Sequence, residues 1–80
     1  MEVRIFAGLA DAAGLDRTTV EPGPVPDVLA ELRDRFGEPF TSWLARSQVL
    51  VNGERVGQDA GEVEVEAGDE VVLLPPFAGG

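Results

Sequence analysis

The sequence predicts an α+β fold in which a mixed β-sheet packs on one main helix. Three observations lead to this prediction: β-type patterns near both ends of the chain, one helical pattern between them, and a length of 80 residues. A chain this short buries only about 60% of its unfolded surface, so it supports a single core. We therefore expect one domain over residues 1–80, with residues 75–80 as a flexible C-terminal tail.

The N-terminal part of the chain has the pattern of two strands. In residues 1–7, the apolar side chains of Val3 and Ile5 alternate with polar neighbours, as in a half-buried strand. Residues 8–16 break this alternation with two glycines, and β-favouring residues return at 17–21. The two strands are expected to form a loose hairpin.

The middle of the chain predicts a helix. Its apolar residues recur at three- and four-residue steps, as in an amphipathic helix, and are Val25, Val28, Leu29, Leu32 and Phe36. Pro26 suits the first helical position, and Gly37 followed by Pro39 ends the helix. No side chain before Pro26 is suited to cap it. A short helical turn or ordered loop with packing residues Phe40, Trp43 and Leu44 should cover one end of the core.

The C-terminal half predicts further strands. Residues 49–51 form an apolar strand, Asn52-Gly53 predicts a type I′ turn, and a short return strand follows at 55–57. The acidic segment 62–66 alternates and is expected to lie at an edge, before a turn at 67–70. Residues 71–74 are apolar on both faces, which is typical of a central strand. With the first and last strands paired in parallel at the centre, this order describes a β-grasp architecture.

The composition excludes several functions. A net charge of -9 repels nucleic acid and anionic membranes, and the chain has no cysteine, histidine or lysine. Without these side chains, an independent enzyme is a poor hypothesis. Neither metal-ligand spacing nor a bound cofactor is predicted, because Asp59, Glu62, Glu64 and Glu66 are interpreted as an acidic edge. No segment has the pattern of a signal peptide or a membrane span, so we expect a cytoplasmic protein.

The C-terminal segment Pro75-Pro76-Phe77-Ala78-Gly79-Gly80 is unusual for a structural terminus. Proline cannot donate to a β-ladder, so the two prolines should end the last strand. The two glycines after them leave the terminal carboxylate free to move. The pattern predicts that the carboxylate of Gly80 is presented to a partner.

Four segments together resemble the MoaD/ThiS family of ubiquitin-like sulfur carriers, and within it the small subunits of molybdopterin synthases. They are Val3-Arg4-Ile5-Phe6-Ala7 with Leu9-Ala10, Val49-Leu50-Val51-Asn52-Gly53-Glu54, Gly68-Asp69-Glu70-Val71, and the segment 75–80. Each segment is short, but their order and spacing within 80 residues indicate the family more specifically than any single segment does.

The resemblance implies that the Gly80 carboxylate is adenylated by an ATP-using enzyme similar to MoeB or ThiF and then converted to a thiocarboxylate. It implies that the chain is a non-catalytic carrier for a sulfur-accepting enzyme, such as the large subunit of molybdopterin synthase. Expected partner-contact residues are Gly79, Ala78, Phe77, Pro76, Pro75 and Phe6. Phe6 is either an exposed anchor or part of a second small core. Phe77 stands where the family usually has a smaller aliphatic residue, and Leu74 is a further candidate.

Other functions remain open from the sequence. The sulfur acceptor could belong instead to the synthesis of cysteine, thiamine, thiolated transfer RNA or a specialised metabolite. A hypothesis of another class is a ubiquitin-like protein modifier or a passive binding module. Since the chain has no lysine, a modifier of this sequence does not form polymers through its own side chains.

Overall fold

The computed structural model describes residues 1–76, which form a five-stranded mixed sheet, a two-stranded sheet and three helices. The larger sheet has the strand order β2-β1-β7-β4-β5, and the smaller one pairs β3 with β6. The elements are β1 (Glu2–Ile5), α1 (Ala7–Ala13), β2 (Arg17–Thr19), β3 (Gly23–Pro24), α2 (Val25–Phe36), α3 (Phe40–Ala45), β4 (Gln48–Val51), β5 (Glu54–Val56), β6 (Glu64–Val65) and β7 (Glu70–Leu74). No helix of the described residues is long and apolar enough to span a bilayer.

The first and last strands form the parallel centre of the larger sheet, as the sequence predicts. β1 pairs with β7 in the register Val3↔Val71 and Ile5↔Leu73, and β4 lies antiparallel on the other side of β7. These four side chains are at most 1% exposed and belong to the core between the sheet and the helices. The β-grasp prediction is therefore confirmed in its central feature.

Helix α2 confirms the predicted amphipathic helix, including its lack of a side-chain cap. Its apolar face places Val25, Val28, Leu29 and Leu32 in the core. The N–H of Val25 donates to the carbonyl of Val63 at 3.0 Å. Because Pro26 has no N–H, the first two positions leave no unpaired donor. A backbone hydrogen bond to a distant segment thus satisfies the N–H group that a side-chain cap would otherwise bind.

The structure of residues 7–13 differs from the sequence prediction, which ended the first strand at residue 7 and left residues 8–16 as an irregular connection. They form α1, whose Leu9 is fully buried and which packs against α3. A Cβ on Gly8 would lie 3.2 Å from the Trp43 ring, so glycine allows the two helices to approach closely. Seven residues are too few to show a helical period, and burial of Leu9 stabilises a helix that is too short to form alone. β1 and β2 still pair antiparallel, so the hairpin is confirmed.

The acidic segment 62–66 is also placed differently from the prediction. The edges of the larger sheet are β2 and β5, whereas β6 pairs with β3 through Gly23↔Val65 and Pro24↔Glu64. Val65 is 1% exposed and reaches the core, and Glu64 points to solvent. The strand partner of this segment was not visible in the sequence because β3 is only two residues long and contains proline.

The packing and turn predictions for residues 40–57 are confirmed. Phe40 and Leu44 are fully buried in α3, and Trp43 packs against the core from its edge. Asn52 and Gly53 have φ values of 51° and 85°, as a type I′ turn requires, and β5 is the predicted return strand.

The turn at Asn52 is tied to the start of β7 by a set of polar contacts. The Asn52 side chain donates to Asp69 Oδ1 at 3.0 Å and accepts the N–H of Glu70 at 2.9 Å. Asp69 Oδ2 in turn accepts the N–H of Glu66 at 2.8 Å. The hydrogen bond from Asn52 and then the one from Glu66 hold the pKa of Asp69 below its ordinary value. The predicted turn at 67–70 therefore also anchors the β4–β5 hairpin.

This contact predicts a pH-dependent stability. Because the pKa of Asp69 is lowered in the folded state, ionised Asp69 adds to the unfolding free energy above about pH 4. This stabilisation is lost as the pH falls through the pKa of Asp69 in the folded protein. We expect Asp69→Asn to lower the unfolding free energy near neutral pH, and the gap from the wild type to close in acid. Urea unfolding between about pH 7 and pH 3 measures it. A gap that is independent of pH, or equal to that of Asp34→Asn at an exposed position of α2, contradicts the prediction.

Candidate functional site

The candidate site lies where the C-terminal segment leaves the larger sheet, at the edge formed by the ends of its strands. Because β1 and β7 are parallel, their carboxyl ends lie at the same edge, and the last aligned pair is Ile5↔Leu73. Phe6 follows β1 at this edge, and Leu74 ends β7 beside it. Pro75 is still buried and Pro76 is exposed. The final residues of the chain are thus joined to the rigid centre of the sheet.

The predicted site residues divide into two groups. Gly80, Gly79, Ala78 and Phe77 lie outside the described residues, so the predictions about them remain predictions. Pro75, Pro76 and Phe6 are described, and the structure brings them to the same edge.

Phe6 is exposed at this edge. Its side chain is 40% exposed, and it lies outside the core cluster, with extended backbone just before α1. The Arg4 guanidinium carbon is 5.7 Å from the centre of the Phe6 ring, within the range of a cation–π contact. Of the two interpretations left open by the sequence, the exposed ring agrees with the first, and a contact of Phe6 with a partner stays a prediction.

A shallow cavity of about 380 Å³ lies beside Phe6, between β1, α1 and the start of β2. Its lining combines apolar atoms with two arginines and two aspartates: Arg4, Ile5, Phe6, Ala7, Ala10, Asp11, Asp16 and Arg17. The sequence did not predict this feature because α1 itself was not predicted. Leu15, which is 40% exposed, lies on the neighbouring surface.

Two further findings concern the polar side chains of the described residues. Within residues 1–76, no three acidic side chains come together as a metal site, and no buried side-chain nitrogen or oxygen lacks a hydrogen-bond partner.

A sequence model of the ThiS family matches residues 3–80, which is nearly the whole chain. A search among curated proteins finds no match.

Several solved structures share the fold. SAMP1 from Haloferax volcanii is 29% identical with a TM-score of 0.79, over 99% of this chain and 97% of that one. A Pyrococcus furiosus protein described as subunit 1 of molybdopterin converting factor is 28% identical with a TM-score of 0.75, over 95% of each chain. A complex of subunits 1 and 2 of molybdopterin-converting factor from Helicobacter pylori 26695 contains a chain that is 24% identical with a TM-score of 0.72, over 99% and 96%. This last likeness shows the fold alone.

Proposed function

The chain belongs to the ThiS family of ubiquitin-like sulfur carriers, and we propose that the C-terminal carboxylate of Gly80 is its functional group. The observation that carries this proposal is the family match, which extends to the last residue. The position of β7 supports it, because the strand that leads to the tail is the central strand of the larger sheet and places Val71 and Leu73 in the core. A partner that binds the folded domain therefore also positions the start of the tail.

The proposed reaction has two steps, both in the active site of a partner. An oxygen of the Gly80 carboxylate first attacks the α-phosphorus of ATP, releasing pyrophosphate and leaving an acyl-adenylate. A sulfur nucleophile then attacks the carbonyl carbon, and AMP leaves with the electrons of the broken C–O bond. With hydrosulfide as the nucleophile, the new C–S bond replaces the C–O bond to AMP, the S–H proton is released, and the product is a thiocarboxylate. Adenylation is needed because the oxygen of a free carboxylate is a poor leaving group.

We propose that the sulfur is delivered for molybdopterin synthesis, to an enzyme such as the large subunit of molybdopterin synthase. The likeness to the P. furiosus subunit 1 supports this choice of acceptor. Two partners follow from the proposal: a MoeB- or ThiF-like adenylating enzyme that uses ATP, and the sulfur-accepting enzyme. Since ATP is consumed, the proposal agrees with the cytoplasmic location expected from the sequence.

A second candidate function is that of a protein modifier. It is favoured by the 29% identity to SAMP1, a small archaeal modifier protein. In this case a lysine amine of a target attacks the same acyl-adenylate, or a thioester derived from it, and an amide bond forms. Both functions share the activation of Gly80 and differ only in the nucleophile.

Intact-mass analysis tests the proposal. We expect the chain, co-expressed with its adenylating enzyme and a sulfur source, to gain the mass that corresponds to replacement of one oxygen by sulfur. A chain with one alanine appended after Gly80 is the control, because its carboxylate is displaced by one residue. Attachment to other proteins without a thiocarboxylate would favour the modifier. An unmodified wild-type chain would contradict both functions.

A further inference from the structure

The turn Asn52-Gly53 combines a chemically labile sequence with a contact that restrains it. Asn52 is the only asparagine of the sequence, and both residues of the turn are exposed. Asparagine is a chemically labile residue. It is most prone to deamidation before glycine, because glycine has no Cβ to hinder attack by its backbone nitrogen on the preceding side chain. The sequence of this turn therefore points to a modification site.

Deamidation of Asn52 needs no enzyme, and it consumes one molecule of water. The backbone nitrogen of Gly53 attacks Cγ of Asn52 and gives up its proton, while the bond from Cγ to Nδ2 breaks and ammonia leaves with that proton. Water then adds to either carbonyl carbon of the succinimide ring, the ring C–N bond breaks there, and the nitrogen takes a proton back. The products are an aspartate, or an isoaspartate whose main chain has an additional carbon atom.

Two hydrogen bonds to the start of β7 restrain the side chain of Asn52 against this reaction. Its Nδ2 donates to Asp69 Oδ1 at 3.0 Å, and its Oδ1 accepts the N–H of Glu70 at 2.9 Å. Attack on Cγ requires the amide to turn toward Gly53, so both hydrogen bonds must open first. The contact with Asp69 involves a carboxylate, and hydrogen bonds to charged groups are stronger than neutral ones.

The product of the reaction does not restore this contact. An aspartate at position 52 has no N–H to donate, and a carboxylate oxygen would replace Nδ2, which lies 3.0 Å from Asp69 Oδ1. Two carboxylates this close repel each other. An isoaspartate also lengthens the two-residue turn between Val51 and Glu54, whose pairing fixes the hairpin register. Deamidation therefore releases the β4–β5 hairpin from the start of β7.

We propose that Asn52 is a deamidation site, and that its contact with Asp69 keeps the reaction slow in the folded chain. Each opening of the contact allows Gly53 to attack. Because the released ammonia is lost to solvent, the modified chains accumulate with time. The result is a one-way loss of the tie between the β4–β5 hairpin and β7, the strand that leads to the C-terminal segment. The reaction requires neither a partner protein nor ATP, so it is independent of the proposed function.

The rate is tested by following the intact mass of the purified chain in mildly alkaline buffer. We expect a slow gain that corresponds to replacement of NH2 by OH, and peptide mapping should place it at residue 52. Asp69→Ala should react about 10-fold faster, because one charge-assisted hydrogen bond to the amide is removed. Ile5→Val is the control, since it weakens the core at the other end of β1 and leaves the turn intact. It should react within about twofold of the wild type.

The consequence for the fold is tested with Asn52→Asp and Asn52→Gly. Both remove the amide donor, and glycine tolerates the φ of 51° at this position, but only the first places a second carboxylate beside Asp69. Near neutral pH, we expect the ratio of folded to unfolded chain to be about fivefold lower for Asn52→Asp than for Asn52→Gly. Urea unfolding measures the ratio.

Three results would overturn the inference. If neither the wild type nor Asp69→Ala gains mass, Asn52 is not a deamidation site. If Asp69→Ala reacts no faster than Ile5→Val, the contact with Asp69 does not restrain the reaction. If Asn52→Asp is as stable as Asn52→Gly, the modification does not act through repulsion between the two carboxylates. Circular dichroism confirms that each variant is folded before its rate is compared.

Discussion

Deletion of Gly80 is expected to abolish ATP-dependent sulfur loading while leaving the fold unchanged. The proposed reaction takes place at the terminal carboxylate, and removal of one residue withdraws that group by about 3.5 Å from the partner's active site.

Gly79→Val is expected to lower loading by about 100-fold or more, because a branched Cβ prevents the tail from entering a narrow cleft in the reactive position. Intact mass and pyrophosphate release measure both effects.

The matched control for Gly79→Val is Gly61→Val. Gly61 does not have a positive φ, and a Cβ built on it meets no atom within 4 Å, so this substitution adds the same side chain at a harmless surface position. We expect it to load like the wild type. Loading of the chain without Gly80 at the wild-type rate would overturn the proposal that the reactive group is at the end of the polypeptide.

Leu73→Ala is expected to lower the unfolding free energy by about 3 kcal/mol. Leu73 is fully buried and lies in β7, between Ile5 of β1 and Val49 of β4. Its truncation leaves a cavity at the centre of the sheet, where neighbours on both sides are held by backbone hydrogen bonds. A domain of 80 residues has about 4–12 kcal/mol of stability in total, so the loss is a large fraction.

Leu74→Ala is the control for this prediction. Leu74 is the next residue of the same strand, but it points to the face of the sheet opposite the core and is only half-buried. We expect a loss of about 1 kcal/mol or less, since little packing is removed. Urea unfolding followed by circular dichroism compares the two variants. Equal losses would show that the two faces of β7 do not differ in packing as the structure indicates.

Local sequence patterns were enough to predict those elements in which consecutive residues follow a single periodic pattern. The five apolar positions of α2 and the apolar run of β7 each predict their own element. The turn at Asn52-Gly53 follows from the conformations that these two residues tolerate. The functional prediction at Gly80 came from the tail and from the resemblance to a family. The match over residues 3–80 confirms the family, and the role of Gly80 stays a prediction.

The sequence by itself determined the main helix and the central strands, and it predicted a role for the carboxylate of Gly80. Tertiary structure alone decided that residues 7–13 are helical, that β6 pairs with β3, and that Asn52 contacts Asp69. The physical reason is the distance along the chain. Leu9 is buried by a helix some thirty residues away, and Asn52 meets Asp69 because backbone hydrogen bonds align β4 with β7, which are far apart in sequence. The periodicity of one segment does not show which distant helix buries a residue or which strands pair in the sheet.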